Sequence, residues 1–341
     1  MDCRDGEEMK AFRMESAGVG GVAEIPEVLP VAGEVLLQVK MVGMCGTDLN
    51  TFRGRNAMVS FPRVLGHEVA GVVVEGVGDL AAGTAVTVSP YTSCGVCAAC
   101  RRGRANACQR NETMGVQRDG AMTEYLSVPP EKVYVANLSL KELCLVEPLT
   151  VGFHAVARGR VEAEDTVAVF GCGAIGLGAI AGSAFRGAET IAIDMDDAKL
   201  AIARKAGARH SINTAREDLH ARLAAITGGV GPDVTIEAIG LPVTFRAAVE
   251  EVAFTGRVVY IGYAKEPVEY ETRLFVQKEL DILGSRNALP EDFRQVIHML
   301  EAGRFPVEET VSAIVPLEDA GRMLGEWSAR PAEFTKILVQ I

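Results

Sequence analysis

Four cysteines crowd into fifteen positions as Cys94-x2-Cys97-x2-Cys100-x7-Cys108. Four thiolates on one loop match a closed tetrahedral zinc site, which stabilises structure and leaves no open position for chemistry. Gly95, Arg101, Arg102, Asn106 and Gln109 beside them are polar or turn-forming, unlike the setting of four incidental core cysteines. Disulfides within C-x2-C spacing would strain the loop, and crowded cysteines in a reducing compartment favour metal.

A second pattern is Gly171-Cys172-Gly173-Ala174-Ile175-Gly176, set between an apolar strand and a small-residue helix. There the first glycine permits a tight turn, the second admits a pyrophosphate to the backbone, and the third lets helix and strand pack closely. Free N–H groups at the helix start then receive the phosphates. Asp194 stands about 20 residues beyond, where a carboxylate accepts both ribose hydroxyls and repels a 2′-phosphate, favouring NAD over NADP. Lys199, one helical turn on, would neutralise or reach the same ribose. The bland alternative makes Asp194 a helix N-terminal charge, since Asp196 and Asp197 follow. Gly171, Gly173, Ile175, Gly176, Asp194, Lys199 and, from a later strand end, Ile261 form the expected dinucleotide surface.

The third set is dispersed: Cys45 in Cys45-Gly46-Thr47-Asp48, His67 in Gly66-His67-Glu68, and Glu147 in Glu147-Pro148-Leu149. Singly, each has a plain reading: a core cysteine, a satisfied strand histidine, a surface charge. Together they offer a soft sulfur, an imidazole and carboxylates, the donor mix of a catalytic zinc that keeps one position for substrate or water. Cys144, Cys172 and the lone Trp327 read as packing, and His154, His210, His220 and His298 as structural or exposed.

Two kinds of domain must hold these residues. Residues 9–150 carry short runs rich in Val, Ile and Leu (34–42, 68–77, 84–89) between Gly-rich turns, the pattern of an all-β barrel or sandwich. From Asp165 onward strands alternate with helices. Strands are expected at Thr166–Phe170, 190–193, 211–213, 233–238, 257–261 and 280–283, with helices at Ala174–Phe185 and 197–206. Unalternating apolar strands between helices mean a parallel sheet buried on both faces. The tail reads as an amphipathic helix over 290–303, a second helix over 316–330 and a closing strand over 335–341, while residues 1–8 read as a frayed extension.

With 341 residues, 48% hydrophobic and 23% charged, the chain suits two globular domains and is not largely disordered. A net charge of −11, with Arg101, Arg102 and Arg104 as its longest basic cluster, argues against a nucleic-acid partner. No apolar run approaches the ~20 residues that span a bilayer, and the acidic N-terminus is neither signal nor transit peptide, so a cytoplasmic protein is expected.

The C-G-T-D and G-H-E motifs, the four-cysteine lobe and G-x-G-x-x-G occur in the order and spacing of the zinc-containing medium-chain dehydrogenases, and the chain resembles that family from Met9 to Ile341. The resemblance implies an α/β-plus-β fold. A GroES-like catalytic domain over 1–150, with a zinc lobe near 90–112, pairs with a doubly wound Rossmann domain over 151–285, and 286–341 returns to the first. It implies two zinc ions per chain: a structural one on Cys94, Cys97, Cys100 and Cys108, and a catalytic one on Cys45 and His67, with Glu68 or Glu147 as further ligand. Thr47 would start the proton relay from the substrate hydroxyl.

Glutamate at 147 in an E-P-L context, where classical alcohol dehydrogenases have cysteine, resembles the sorbitol-type, threonine and sugar-acid branch. Gly284-Ser285-Arg286-Asn287 resembles its sugar-alcohol and sugar-acid members and implies Arg286 beside the substrate. The chain departs from sorbitol dehydrogenases at Thr51, where tyrosine is usual, and from threonine dehydrogenases at Asn50, where histidine is usual. The expected activity is NAD-dependent oxidation of a secondary alcohol in a polyhydroxylated small molecule, by a homodimer or homotetramer. The alternatives are a threonine-type or simple secondary-alcohol dehydrogenase and, more remotely, a non-catalytic nucleotide-binding protein.

Overall fold

The computed structural model describes residues 8–341; the expected extension over 1–7, with Cys3, lies outside them. Glu8 itself opens strand Glu8–Ser16. The chain divides into two compact units, one holding the described residues through Glu147 together with Thr310–Ile341, the other Pro148–Glu309. The return to the first unit therefore comes at Thr310 and not at 286. Helix Pro290–Glu301 stays with the second unit because its apolar face (Phe293, Val296, Ile297 and Leu300, all buried) is satisfied there.

The first unit is β-rich. Its larger sheet runs in the order Val311–Pro316, Lys336–Gln340, Val35–Met44, Glu68–Glu75, Ala85–Val88 and Val133–Val135, with Tyr125–Val128 also paired to Val35–Met44. Val35–Met44 alternates buried and half-buried residues until Met41, then is buried on both faces. The closing strand pairs with it antiparallel, Ile337 opposite Met44 and Val339 opposite Val42. Phe12, Met14, Leu37, Met44, Leu65, Met122 and Trp327 share one core beneath these strands, so Trp327 is indeed packing. The helix expected over 316–330 is shorter: 311–316 is a strand, and the helix proper is Ala320–Ala329.

The second unit is the expected parallel sheet, ordered His210–Asn213, Glu189–Asp194, Thr166–Phe170, Val234–Glu237, Arg257–Tyr260 and Asp281–Gly284, every pair parallel. Chain order reverses beside Thr166–Phe170, and ligands bind such sheets beyond the C-terminal strand ends at that reversal. Helix Leu140–Arg158 was not expected; Pro148 lies inside it and makes the sequence read as a boundary there. No helix among the described residues is long and apolar enough to cross a membrane.

Candidate functional site

Each glycine of the expected phosphate loop has its own reason to be glycine. Gly171 sits at φ +97°, which L side chains rarely adopt; a Cβ on Gly176 would lie 1.8 Å from the Gly171 carbonyl oxygen; Gly173 faces open space and caps helix Ala174–Phe185. Asp194 ends its strand, and its Oδ2 accepts from the Cys172 amide at 2.8 Å, tying the strand end to the loop. Asp196 is the residue that caps helix Asp197–Lys205, accepting from the Ala198 and Lys199 amides, while Asp194 Oδ1 accepts from the Met195 and Asp196 amides just before it. Ile261 follows strand Arg257–Tyr260, its amide bonded to the Glu237 carbonyl. Cys172 is buried and burial pushes its thiol far up, so packing is its role.

The four lobe cysteines converge, with ligand atoms all within 4.8 Å of one another. Cys97 Sγ lies 3.5 Å from Cys100 Sγ and 3.9 Å from Cys108 Sγ. That brackets the about 3.8 Å edge of a tetrahedron with 2.3 Å Zn–S bonds and is far too long for a disulfide. Cys94 and Arg110 amides donate to Cys108 Sγ at 3.3 Å each. Amides of Cys100 and Gln109 hold the Cys97 thiol down at about 6, while burial and the neighbouring Cys97 push Cys100 up to about 11, as expected of crowded thiols that share their protons when no cation joins them.

The dispersed set also converges. Cys45 Sγ, a His67 ring nitrogen and a Glu68 carboxylate oxygen lie within 4.8 Å of one another. Asp48, which is fully buried, fixes two of the segments involved: Oδ2 accepts from the Cys45 amide at 2.9 Å and Oδ1 from the Gly66 amide at 3.4 Å. Burial pulls the His67 pKa down, but Cys45, Asp48 and Glu147 outweigh it and hold it well above the ordinary value. Its Nδ1 is buried without a hydrogen-bond partner.

Glu68 and Glu147 differ in their company. Both Glu68 oxygens accept from Lys336 Nζ, at 2.6 and 2.7 Å, and Lys336 also reaches the Met44 carbonyl at 3.1 Å. Room for that carboxylate exists because residue 43 is glycine: a Cβ there would stand 1.9 Å from Glu68 Oε2. Glu147 lies outside the 4.8 Å set, and its Oε1 accepts from the Tyr91 hydroxyl. Burial and the Glu68 charge push its carboxyl up, against the pull of His67. Asp48, Glu68, Glu147 and the Cys45 thiol thus gather acidic groups in a buried site faced by Lys336. Such a concentration is costly unless a cation offsets it, and an orphaned imidazole nitrogen beside a thiol and carboxylates is a donor set that suits zinc.

Thr47, half-buried near the start of helix Gly46–Phe52, places Oγ1 3.7 Å from Cys45 Sγ. Thr51 is buried and donates to the Thr47 carbonyl while accepting from Asn56, so it serves the helix. Arg286 is exposed, two residues past the C-terminal end of the last parallel strand. Sequence reasoning missed Lys336, Tyr91 and Asp48. A lysine within the apolar run Lys336–Gln340 was a readable signal, whereas nothing near Tyr91 in sequence announces Glu147 as its partner.

Comparison with known proteins agrees with this geometry. Residues 31–137 match the alcohol dehydrogenase GroES-like domain and 174–302 the zinc-binding dehydrogenase domain. The chain is 35% identical to L-galactonate-5-dehydrogenase of Escherichia coli K12, over 84% of each chain. Among solved structures it is similar to the rspB alcohol dehydrogenase of E. coli CFT073 complexed with NADH (TM-score 0.90, 29% identity, 98% of this chain and 100% of that one). It is also similar to a zinc-binding dehydrogenase of Sinorhizobium meliloti 1021 bound to NADP (TM-score 0.89, 30% identity, 98% and 100%).

Proposed function

The chain belongs to the zinc-containing medium-chain dehydrogenases, and on that premise we propose that it oxidises a secondary alcohol of a polyol, sugar or sugar acid with NAD+. The observation that carries this reading is the convergence of half-buried Cys45 with buried His67 and Glu68, with Glu147 nearby. Cys45 and His67 would hold a zinc ion there, with Glu68 or Glu147 as third protein ligand. Bound zinc supplies Lewis acidity, the property that lowers the pKa of water from 15.7 to about 7 in favourable sites.

The protein's own residues do the rest. Asp48 fixes the backbone of Cys45 and Gly66, and so both ligands' approach. Thr47 Oγ1 takes the proton from the substrate hydroxyl and passes it outward. Bound NAD+ would supply the hydride acceptor for the carbinol carbon, the overall conversion being alcohol and NAD+ to ketone, NADH and a proton. Gly171, Gly173, Ile175 and Gly176 would form the pyrophosphate cradle, Ile261 would add to the cofactor surface, and Lys199 would neutralise or reach the ribose region. Asp194, whose Oδ1 accepts from the Met195 and Asp196 amides and whose Oδ2 accepts from Cys172, has one lone pair of Oδ2 left to accept a ribose hydroxyl, and its charge would exclude a 2′-phosphate. Arg286 offers a fork of donors that suits vicinal hydroxyls or a carboxylate, and a sugar-acid dehydrogenase among the relatives supports that class. Cys94, Cys97, Cys100 and Cys108 would hold a separate zinc that fixes the loop.

The test is initial-rate kinetics on alditols, aldonates, threonine and simple secondary alcohols, each with NAD+ and NADP+. The highest kcat/KM should fall on an alditol or aldonate with NAD+, and Asp194→Ser should weaken or reverse the coenzyme preference. His67→Ala should abolish turnover while NADH still binds. A best substrate among threonine or simple alcohols, or equal kcat/KM for the two coenzymes, overturns the corresponding half of the reading.

A further inference from the structure

His154 and Arg158 stand one helical turn apart on Leu140–Arg158, so their side chains leave the same face. Both are directed at one short segment of chain. Arg158 Nε donates to the Gly284 carbonyl at 3.2 Å. His154 Nδ1 lies 2.9 Å from Asp292 Oδ2, with both side chains buried, and the same Oδ2 accepts from the Leu289 amide at 2.7 Å. The two contacts therefore grip residues 284 and 289, the two ends of the loop that presents Arg286.

Inside the loop, Ser285 N bonds to the Tyr260 carbonyl at 2.9 Å and Ala288 is buried, while Arg286 is left exposed between them. Asn287 sits at φ +52°, a left-handed turn conformation that asparagine tolerates better than most non-glycine residues. A buried histidine–carboxylate pair is not needed merely to start helix Pro290–Glu301, because Asp292 already caps that helix through the Leu289 amide.

We propose that His154, acting through Asp292, and Arg158, acting on Gly284, are positioning residues for substrate recognition: they clamp both ends of the 285–289 loop and so aim Arg286. The proposal rests on the reading of Arg286 as a substrate-binding residue given above. His154→Leu should raise the KM for sorbitol or L-galactonate, whichever is oxidised, about tenfold while leaving kcat within about threefold. His154→Asn, whose Nδ2 occupies the place of the imidazole Nδ1, should restore KM to within about twofold of the unmutated protein. In an Arg286→Ala background His154→Leu should add no further KM loss, because both changes remove one interaction. Amide exchange read by mass spectrometry should speed up in the peptide containing 284–292 and nowhere comparable in the other strands' peptides.

If Arg286→Ala raises KM but His154→Leu leaves both KM and exchange at 284–292 unchanged, the clamp is wrong and the reading of Arg286 stands. If Arg286→Ala itself leaves KM unchanged, that reading and the clamp's purpose fall together. Additive KM losses in the double variant overturn the clamp as well. Should His154→Leu fail to fold, Arg158→Leu at the half-buried end carries the same comparison.

Discussion

Replacing Lys336 with methionine tests the electrostatics of the buried site most directly. The ammonium is 3% exposed and the carboxylate of Glu68 is not exposed at all; three contacts, at 2.6, 2.7 and 3.1 Å, satisfy its donors. Methionine has nearly the same length, so packing is retained and the loss is electrostatic. Glu68 would then be a buried carboxylate without its counter-charge, and the Met44 carbonyl would lose a donor. Removing one partner of a buried pair costs about 3–5 kcal/mol. At about 2–4 °C per kcal/mol for a unit of this size, Tm should fall by roughly 6–20 °C.

The double variant Lys336→Met/Glu68→Gln removes the stranded charge and leaves a neutral amide, whose imperfect satisfaction costs about 1–3 kcal/mol. It should therefore be more stable than Lys336→Met alone. Urea unfolding followed by circular dichroism, with thermal melts alongside, measures all four corners of the cycle. If Lys336→Met costs less than about 1 kcal/mol, or if Glu68→Gln gives no recovery, the pair is not a buried and desolvated interaction.

Three shorter expectations accompany it. Cys97→Ser should release one zinc per chain and open residues 90–112 to proteolysis while the parallel-sheet unit keeps its NADH binding, since a closed four-sulfur site tolerates no missing ligand; unchanged metal content would refute the lobe assignment. Tyr91→Phe deletes the hydroxyl that Glu147 accepts from and should lower kcat/KM about tenfold at unchanged NADH affinity, so wild-type kinetics would remove Tyr91 from the site. His220 is raised above its ordinary value first by its hydrogen bond to Glu251, 3.0 Å away, and then by that residue's charge. The pair's contribution to stability is thus fully present below the ordinary histidine range and is lost as pH rises through the elevated folded value. An NMR titration should show His220 returning towards 6.5 in Glu251→Gln, and no movement would mean that the contact is not formed.

The sequence disclosed those parts of the molecule whose chemistry is local. Gly171 to Gly176, Asp194 and the four lobe cysteines are each read from neighbours in the chain, because a turn, a cap and a C-x2-C spacing are short-range constraints. The six parallel strands were visible to within a residue or two; Thr166–Phe170, Glu189–Asp194 and Val234–Glu237, buried along most of their length, are the ones that read most clearly as apolar runs. What sequence could not supply was partnership over long separations. Glu68 and Lys336 meet only because strand Lys336–Gln340 inserts beside Val35–Met44, and His154 meets Asp292 across a long stretch of intervening chain. Helix Leu140–Arg158 was hidden by Pro148, and the return point was misplaced because an amphipathic helix does not reveal which unit it packs on.

The discontinuity of the first unit bears on the order in which the chain can assemble during its synthesis. Strand Lys336–Gln340, central in its sheet and with Ile337, Leu338 and Val339 wholly buried, reaches the ribosome's exit only after all of Pro148–Glu309. At about 5–20 residues per second the intervening unit takes roughly 10–30 s to emerge. It is continuous in sequence and can complete its own sheet in that interval. The first unit meanwhile waits with the Met41–Met44 stretch of strand Val35–Met44 lacking its partner and Glu68 without Lys336. An exposed strand edge is a template for foreign pairing, so the nascent first unit is where this protein most needs protection from aggregation while it is being made.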